Sequence, residues 1–156
     1  MVESLKALLA DWKETRNITL EFLNGLSEES LDKKLPRNKL NTIRLQMYEL
    51  TLFQRDVVNA LGTDKLAYEE EYKYESIPTK DIIKRMRELD AEYEKALASL
   101  TGKEMMDYYG EKQNVHQILS MMAGHENMHI GQIIAFCYAT GIEIPKTITE
   151  RMALEG

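Results

Sequence analysis

A single cysteine, Cys137, with three prolines and eight glycines, is all that the 156 residues hold of the types that staple, kink or loosen a chain. One cysteine forms no internal disulfide, so a disulfide scaffold is excluded and cytoplasmic residence is expected. Scarce proline and glycine exclude collagen-like and linker-rich architectures. No apolar run approaches the ~18–20 residues that span a bilayer. The opening Met1-Val2-Glu3-Ser4-Leu5-Lys6 has neither the basic start nor the apolar stretch of a signal peptide. Positive charge is outnumbered: 20 Lys+Arg stand against 26 Asp+Glu, a net charge of −6. That balance repels phosphate backbones and anionic membranes, so neither nucleic acid nor membrane is expected as a partner. Alternating apolar and polar runs are also missing, and no segment is read as a strand.

What is present is a globular balance, 44% hydrophobic and 29% charged residues, of a length that fits one domain over residues 1–156. Apolar residues recur at helical spacing. A first helix is expected over residues 3–24, with Leu5, Leu8, Leu9, Trp12, Ile18 and Phe22 inward and Gly25 ending it. Ser27-Glu28-Glu29-Ser30 reads as the acidic start of a short helix. A second long helix begins at Asn41 or Thr42 and runs to Leu61, where Gly62-Thr63-Asp64 breaks it. Tyr68-Glu69-Glu70-Glu71-Tyr72 reads as a short solvated helix or simply an exposed face. Thr79 caps a third long helix, with Ile82, Ile83, Met86, Leu89, Tyr93 and Leu97 inward, stopping near Thr101-Gly102. The last starts after Asn114 and ends near Thr140, with Gly141 as its stop and Pro145 beyond; at 1.5 Å per residue it is roughly 39 Å long. Four long amphipathic helices with short additional ones predict an all-α four-helix bundle.

The three histidines all lie in the last helix. His125 and His129 are four apart, one ring a turn above the other, a spacing that can chelate a divalent cation. His116 falls on the opposite face and reads as a helix-start residue without a role. The arc of His125 also carries Ile118, Met121, Met122, Gln132 and Phe136, so the pair points inward, either as metal ligands or as core histidines hydrogen-bonded to other helices. In the second long helix Leu45, Leu50, Leu52, Phe53 and Val57 define the apolar arc, and Glu49 falls inside it, with Gln46 and Asp56 on the same side. A buried carboxylate there needs a cation or a histidine partner, unless it sits hydrated at the bundle's mouth.

His125-Glu126-Asn127-Met128-His129 also matches the H-E-x-x-H pattern of zinc metalloproteases, with Glu126 as general base and Glu150 as a conceivable third ligand. Against a protease stands the lack of an edge strand to hold an extended peptide.

His125-x-x-x-His129-x-Gly131-Gln132-Ile133, with Gly141-x-x-x-Pro145, resembles the C-terminal signature of the DinB/YfiT-like superfamily. Leu23-Asn24-Gly25-Leu26-Ser27-Glu28-Glu29 and the second long helix extend the likeness over most of the chain. The resemblance implies a four-helix bundle, often a homodimer, with zinc, nickel or iron near one end held by a histidine of the second long helix and two of the fourth. It also implies a thiol-dependent S-transferase, an isomerase, or a member without established activity. His125 and His129 match the paired ligands. Glu49 stands where the family's other histidine is usual, giving either a two-histidine, one-carboxylate metal face or a branch that has lost its metal.

The leading expectation is therefore a divalent-metal-dependent enzyme, a transferase or hydrolase, acting on a small molecule at the bundle's open end. Glu49, His125 and His129 hold the ion, and metal-activated water or a thiolate from a low-molecular-weight thiol is the nucleophile. Met121, Met122 and Phe136 would wall the substrate space, Gln132 would bond a ligand or a second group, and Gly131 would allow close helix packing. Cys137, about 120° around the helix from His125, is structural. The competing reading is a non-catalytic helical protein in which Glu49 pairs with the histidines.

Overall fold

The computed structural model describes residues 1–68 and 77–154. Four long helices dominate: α1 (Glu3–Gly25), α3 (Ile43–Thr63), α4 (Thr79–Ala98) and α5 (Val115–Thr140), with α2 (Glu28–Asp32) and α6 (Lys146–Arg151) as short additions. They form a four-helix bundle in which α3 packs on α4 and α5, and α1 closes against α5 and α4. Much of residues 68–72 lies outside the described segments.

The helix ends follow local chemistry. Asn114 caps α5 with a full capping box, its side chain meeting the first turn while Gln117 reaches back to the Asn114 backbone. Gly141 ends α5 in the left-handed conformation at φ 68°. Of the two candidate caps for α3, Thr42 accepts from the Leu45 N–H. That helix runs two residues past Leu61, because Gly62 and Thr63 continue it and Asp64, at φ 55°, supplies the left-handed stop. Thr79 is not a cap: Pro78 holds that position, and the Thr79 hydroxyl accepts instead from buried Arg44 at 3.1 Å. Arg44, only 3% exposed, also grips Asp32, Glu28 and the Ile77 carbonyl, tying α2 and the entry of α4 to α3.

One expectation fails outright. Three short strands form a sheet, β1 (Lys65–Leu66) parallel to β2 (Met105–Tyr108), and β2 antiparallel to β3 (Glu111–Asn114). The hairpin turns on Tyr109 and Gly110, both at positive φ, as a two-residue turn demands. Without an Asn-Gly pair, and with only two to four residues a strand, neither turn chemistry nor alternation shows in the sequence.

The apolar core is split in two. One cluster gathers Leu5, Leu9, Trp12, Phe53, Val57, Tyr93, Leu97, Ile118 and Met122 near the sheet. The other gathers Phe22, Leu23, Met47, Leu50, Ile82, Met86, Ile130, Ile133 and Phe136 at the far end. Between them lies a buried polar layer to which every long helix contributes: Thr15, Arg16 and Thr19 from α1, Gln46, Glu49 and Gln54 from α3, Asp90 at the edge from α4, and Glu126 and His129 from α5.

Candidate metal centre

Buried polar side chains need partners, and in this layer the partners fall into two groups. The first is balanced in charge, a buried guanidinium set against buried and half-buried carboxylates. Arg16 lies 3.0 Å from Glu126 and 3.3 Å from Asp90, and its Nη2 donates to Gln54 Oε1 at 2.7 Å. Gln54 passes the chain on to Asp90 at 2.8 Å, and the Thr19 hydroxyl donates to Glu126 Oε1 at 2.5 Å. The guanidinium also stacks over the Trp12 ring. Burial pushes the Glu126 carboxyl above its ordinary range, against the pull of Arg16 and of the Thr19 hydroxyl. This pairing removes Glu126 from the role the H-E-x-x-H pattern assigns it, since its oxygens are engaged by α1. Glu150 is no third ligand either; it is exposed on α6 and pairs with Lys146.

The second group is Glu49, His125 and His129. Successive turns of α5 set the two imidazoles edge to face, their centroids 4.8 Å apart and planes at 83°, and α3 brings Glu49 to both rings. His129 Nε2 lies 3.1 Å from Glu49 Oε2 and His125 Nε2 lies 3.6 Å from Glu49 Oε1. One ligand atom from each residue falls within 4.8 Å of the others, so the three could hold a metal ion. The triad sits midway along α5 in the polar layer, not near one end of the bundle as the resemblance implies.

The electrostatics suit a cation. Glu49 is 7% exposed, and its Oε2 is buried without a hydrogen-bond partner. Burial lowers the His125 pKa, a shift that Glu49 opposes and His129 adds to, which favours the neutral ring with a lone pair to donate. Phe53 lies face-near on the same ring, centroids 3.9 Å apart, which holds its plane. His129 is 2% exposed, and its Nδ1 bonds Gln46 Oε1 at 3.3 Å. Two nitrogens and a carboxylate match zinc or iron(II) better than the all-oxygen shells of calcium and magnesium.

The other residues singled out from the sequence go elsewhere. Gln132 makes no hydrogen bond to the triad, and its Oε1 is buried without a partner; the amide that reaches the triad is Gln46. Met122 and Phe136 are 1% exposed and belong to opposite apolar clusters, so they are core and not a substrate wall. Met121 does border the site's surroundings, through the Tyr68 hydroxyl at 3.9 Å. Gly131 does not serve close packing; it is exposed, with nothing within 4 Å of where a Cβ would stand. His116 sits in the first turn of α5, bonded to Ser4 and Asn114, and Asp56 pairs with Arg55. Cys137 is fully buried, its thiol pushed up to about 11 by desolvation, as befits a structural residue. Arg16 was legible in principle: Leu5, Leu9, Trp12, Arg16, Thr19 and Leu23 share one helical stripe, and a cation inside such a stripe asks for a buried anion.

Beside His125 an aromatic row leads outward. Tyr68 stacks on Phe53 at 5.2 Å and meets Tyr108 and Tyr109, and Tyr109 at the hairpin tip is 70% exposed. Among the described residues no helix is long and apolar enough to cross a membrane.

Comparison with known proteins gives a consistent picture. The sequence pattern of the DinB superfamily matches residues 11–133. A crystal structure of a DinB-like protein from Bacillus cereus superposes with a TM-score of 0.71 over 90% of this chain and 95% of that one, at 22% identity. At that identity the match speaks for the fold. No match is found among curated proteins.

Proposed function

The chain belongs to the DinB superfamily, and from the geometry of its polar layer we propose that it is a divalent-metal-dependent enzyme acting on a small molecule, with Glu49, His125 and His129 as the metal ligands. The observation that carries this reading is the carboxylate of Glu49: buried, facing two imidazole Nε2 atoms, with one oxygen that no donor satisfies. Such a carboxylate is costly to bury unless a cation meets it.

Each residue has a distinct part. Glu49 supplies the negative charge that draws a cation into the layer, and its replacement of a neutral imidazole makes the ion a weaker Lewis acid than three histidines would. His129, nearly inaccessible, anchors the inner side. His125, whose side chain is 18% exposed, marks the side from which substrate approaches. Glu49, His125 and His129 would hold a divalent ion, whose chemistry when bound would be to lower the pKa of water to about 7 or that of a thiol. Phe53, Tyr68 and Tyr108 shield the approach from bulk water, which strengthens charge interactions inside. The metal is zinc, nickel or iron(II), and the reaction is a thiol-dependent S-transfer or a hydrolysis.

The test offers zinc-, nickel- or iron(II)-loaded protein a low-molecular-weight thiol with an electrophile, and separately an activated ester. A rate above the uncatalysed reaction that disappears in Glu49→Ala supports the reading; no such rate with several thiols or the ester removes it. A homodimer is part of the proposal. Its support is the outward face of α5, where Met128 and Tyr138 are exposed and no charged side chain stands, since Glu126 is the helix's one charge and is buried. Light scattering decides between dimer and monomer.

A further inference from the structure

We infer that Gln46 is a positioning residue that fixes which nitrogen of His129 faces Glu49, and so prepares that ring to bind metal. The inference rests on the metal reading above and deepens it.

A neutral imidazole carries one N–H and one lone pair, and the partner of one nitrogen decides what the other presents. Among the described residues, the hydrogen bond made by the His129 ring is at Nδ1, to Gln46 Oε1 at 3.3 Å. A carbonyl oxygen only accepts, so in the neutral ring the proton sits on Nδ1 and the lone pair on Nε2. That Nε2 is the atom 3.1 Å from Glu49 Oε2, and no hydrogen bond joins the two. In that tautomer both atoms carry lone pairs, and with the His125 nitrogen they converge on a shared point.

Burial gives Gln46 this role without competition. Gln46 is 0% exposed and His129 2%, so water has little access to replace the bond. The Gln46 Nε2 is buried without a partner, which leaves the contact to His129 as the bond that holds the amide. Gln46 and Glu49 are three residues apart on α3, on one face of the helix, so a single rigid element supplies both the ligand and the group that orients its neighbour. Were the amide turned over, its NH2 would donate to Nδ1, the proton would move to Nε2, and His129 would pair with Glu49 in place of a metal. The orientation of one amide thus separates a metal-binding site from a closed histidine–carboxylate pair.

The experiment compares wild type, Gln46→Met, which is nearly isosteric but has no acceptor oxygen, and Gln46→Glu, which keeps one. Zinc affinity is read by competition with a chromophoric chelator, and the His129 tautomer of the metal-free protein by long-range proton–nitrogen NMR at pH 8. Gln46→Met is expected to bind zinc ~10- to 100-fold more weakly, the usual effect of removing such a partner, and to shift the ring toward the Nε2–H form. Gln46→Glu is expected to bind at least as tightly as wild type, whereas a purely steric role for Gln46 would leave Gln46→Met and Gln46→Glu alike. Zinc bound by wild type and Gln46→Met alike overturns this inference alone, as does a wild-type ring protonated on Nε2. A wild type that takes up no zinc overturns the metal reading and this inference together.

Discussion

The Nε2 atom of His129 stands 3.1 Å from Oε2 of Glu49, and no hydrogen bond joins them. A few residues along the same helix, Glu126 lies at nearly the same distance, 3.0 Å, from the Arg16 guanidinium. The two buried carboxylates share one polar layer, yet only Glu126 has a permanent cation of its own. Glu49 has two imidazoles, which repel or attract it according to what lies between them. That asymmetry makes one half of the layer a structural lock and the other a receptive site.

The lock gives a stability prediction. Arg16→Met strips the cation from Glu126 and leaves it buried, so unfolding free energy should fall by about 3–5 kcal/mol. Adding Glu126→Gln to that variant should recover part of the loss. Urea unfolding checks both; a change below about 1 kcal/mol in the single variant, of the order of an exposed pair, would contradict the account.

Acid stability turns partly on Glu104. Slight burial nudges its carboxyl up, but the N–H groups of Thr101 and Gly102 and the Thr101 hydroxyl pull it down to about 2. A carboxyl whose folded pKa is depressed contributes stability above its unfolded pKa of about 4.3 and loses it as pH falls toward 2. Glu104→Gln should therefore melt below wild type at pH 6, and the gap should narrow at pH 3. A gap that stays constant across that range would show that Glu104 acts through contacts indifferent to its charge.

Two glycines should respond in opposite directions. A Cβ at Gly25 would lie 2.6 Å from Pro145 Cγ, a rigid ring carbon, so Gly25→Ala must push α1 away from the start of α6 and should cost about 1–3 kcal/mol. Gly131, in mid-helix with open space around it, should gain up to about 1 kcal/mol on changing to Ala. Thermal melts of the two variants test the contrast; stabilisation by Gly25→Ala would refute the close approach.

How much of this was legible beforehand depended on whether the physics was local. The ends of α5 are written in Asn114 and Gly141, because a cap and a left-handed stop are decided by neighbouring residues. Glu49 and the histidine pair stand out because polar groups inside an apolar arc break a helical period. The sheet was not legible, since its pairing of Lys65–Leu66 with Asp107–Tyr108 depends on contacts across the fold. Nor was the destination of Glu126: the H-E-x-x-H spacing describes one helix, while the Arg16 that claims the glutamate comes from another. Gly131 shows the converse error, for a glycine at a signature position suggests close packing, and here its surroundings are open.

The most direct measurement is the metal content of protein purified without an affinity tag and offered zinc, nickel or iron(II), set beside Glu49→Ala and His129→Ala. The account predicts close to one ion per chain in the wild type and a drop to background in both variants, with the metal-free proteins still folded by circular dichroism. Equal metal in wild type and Glu49→Ala, or none in the wild type with any of the three ions, would contradict it.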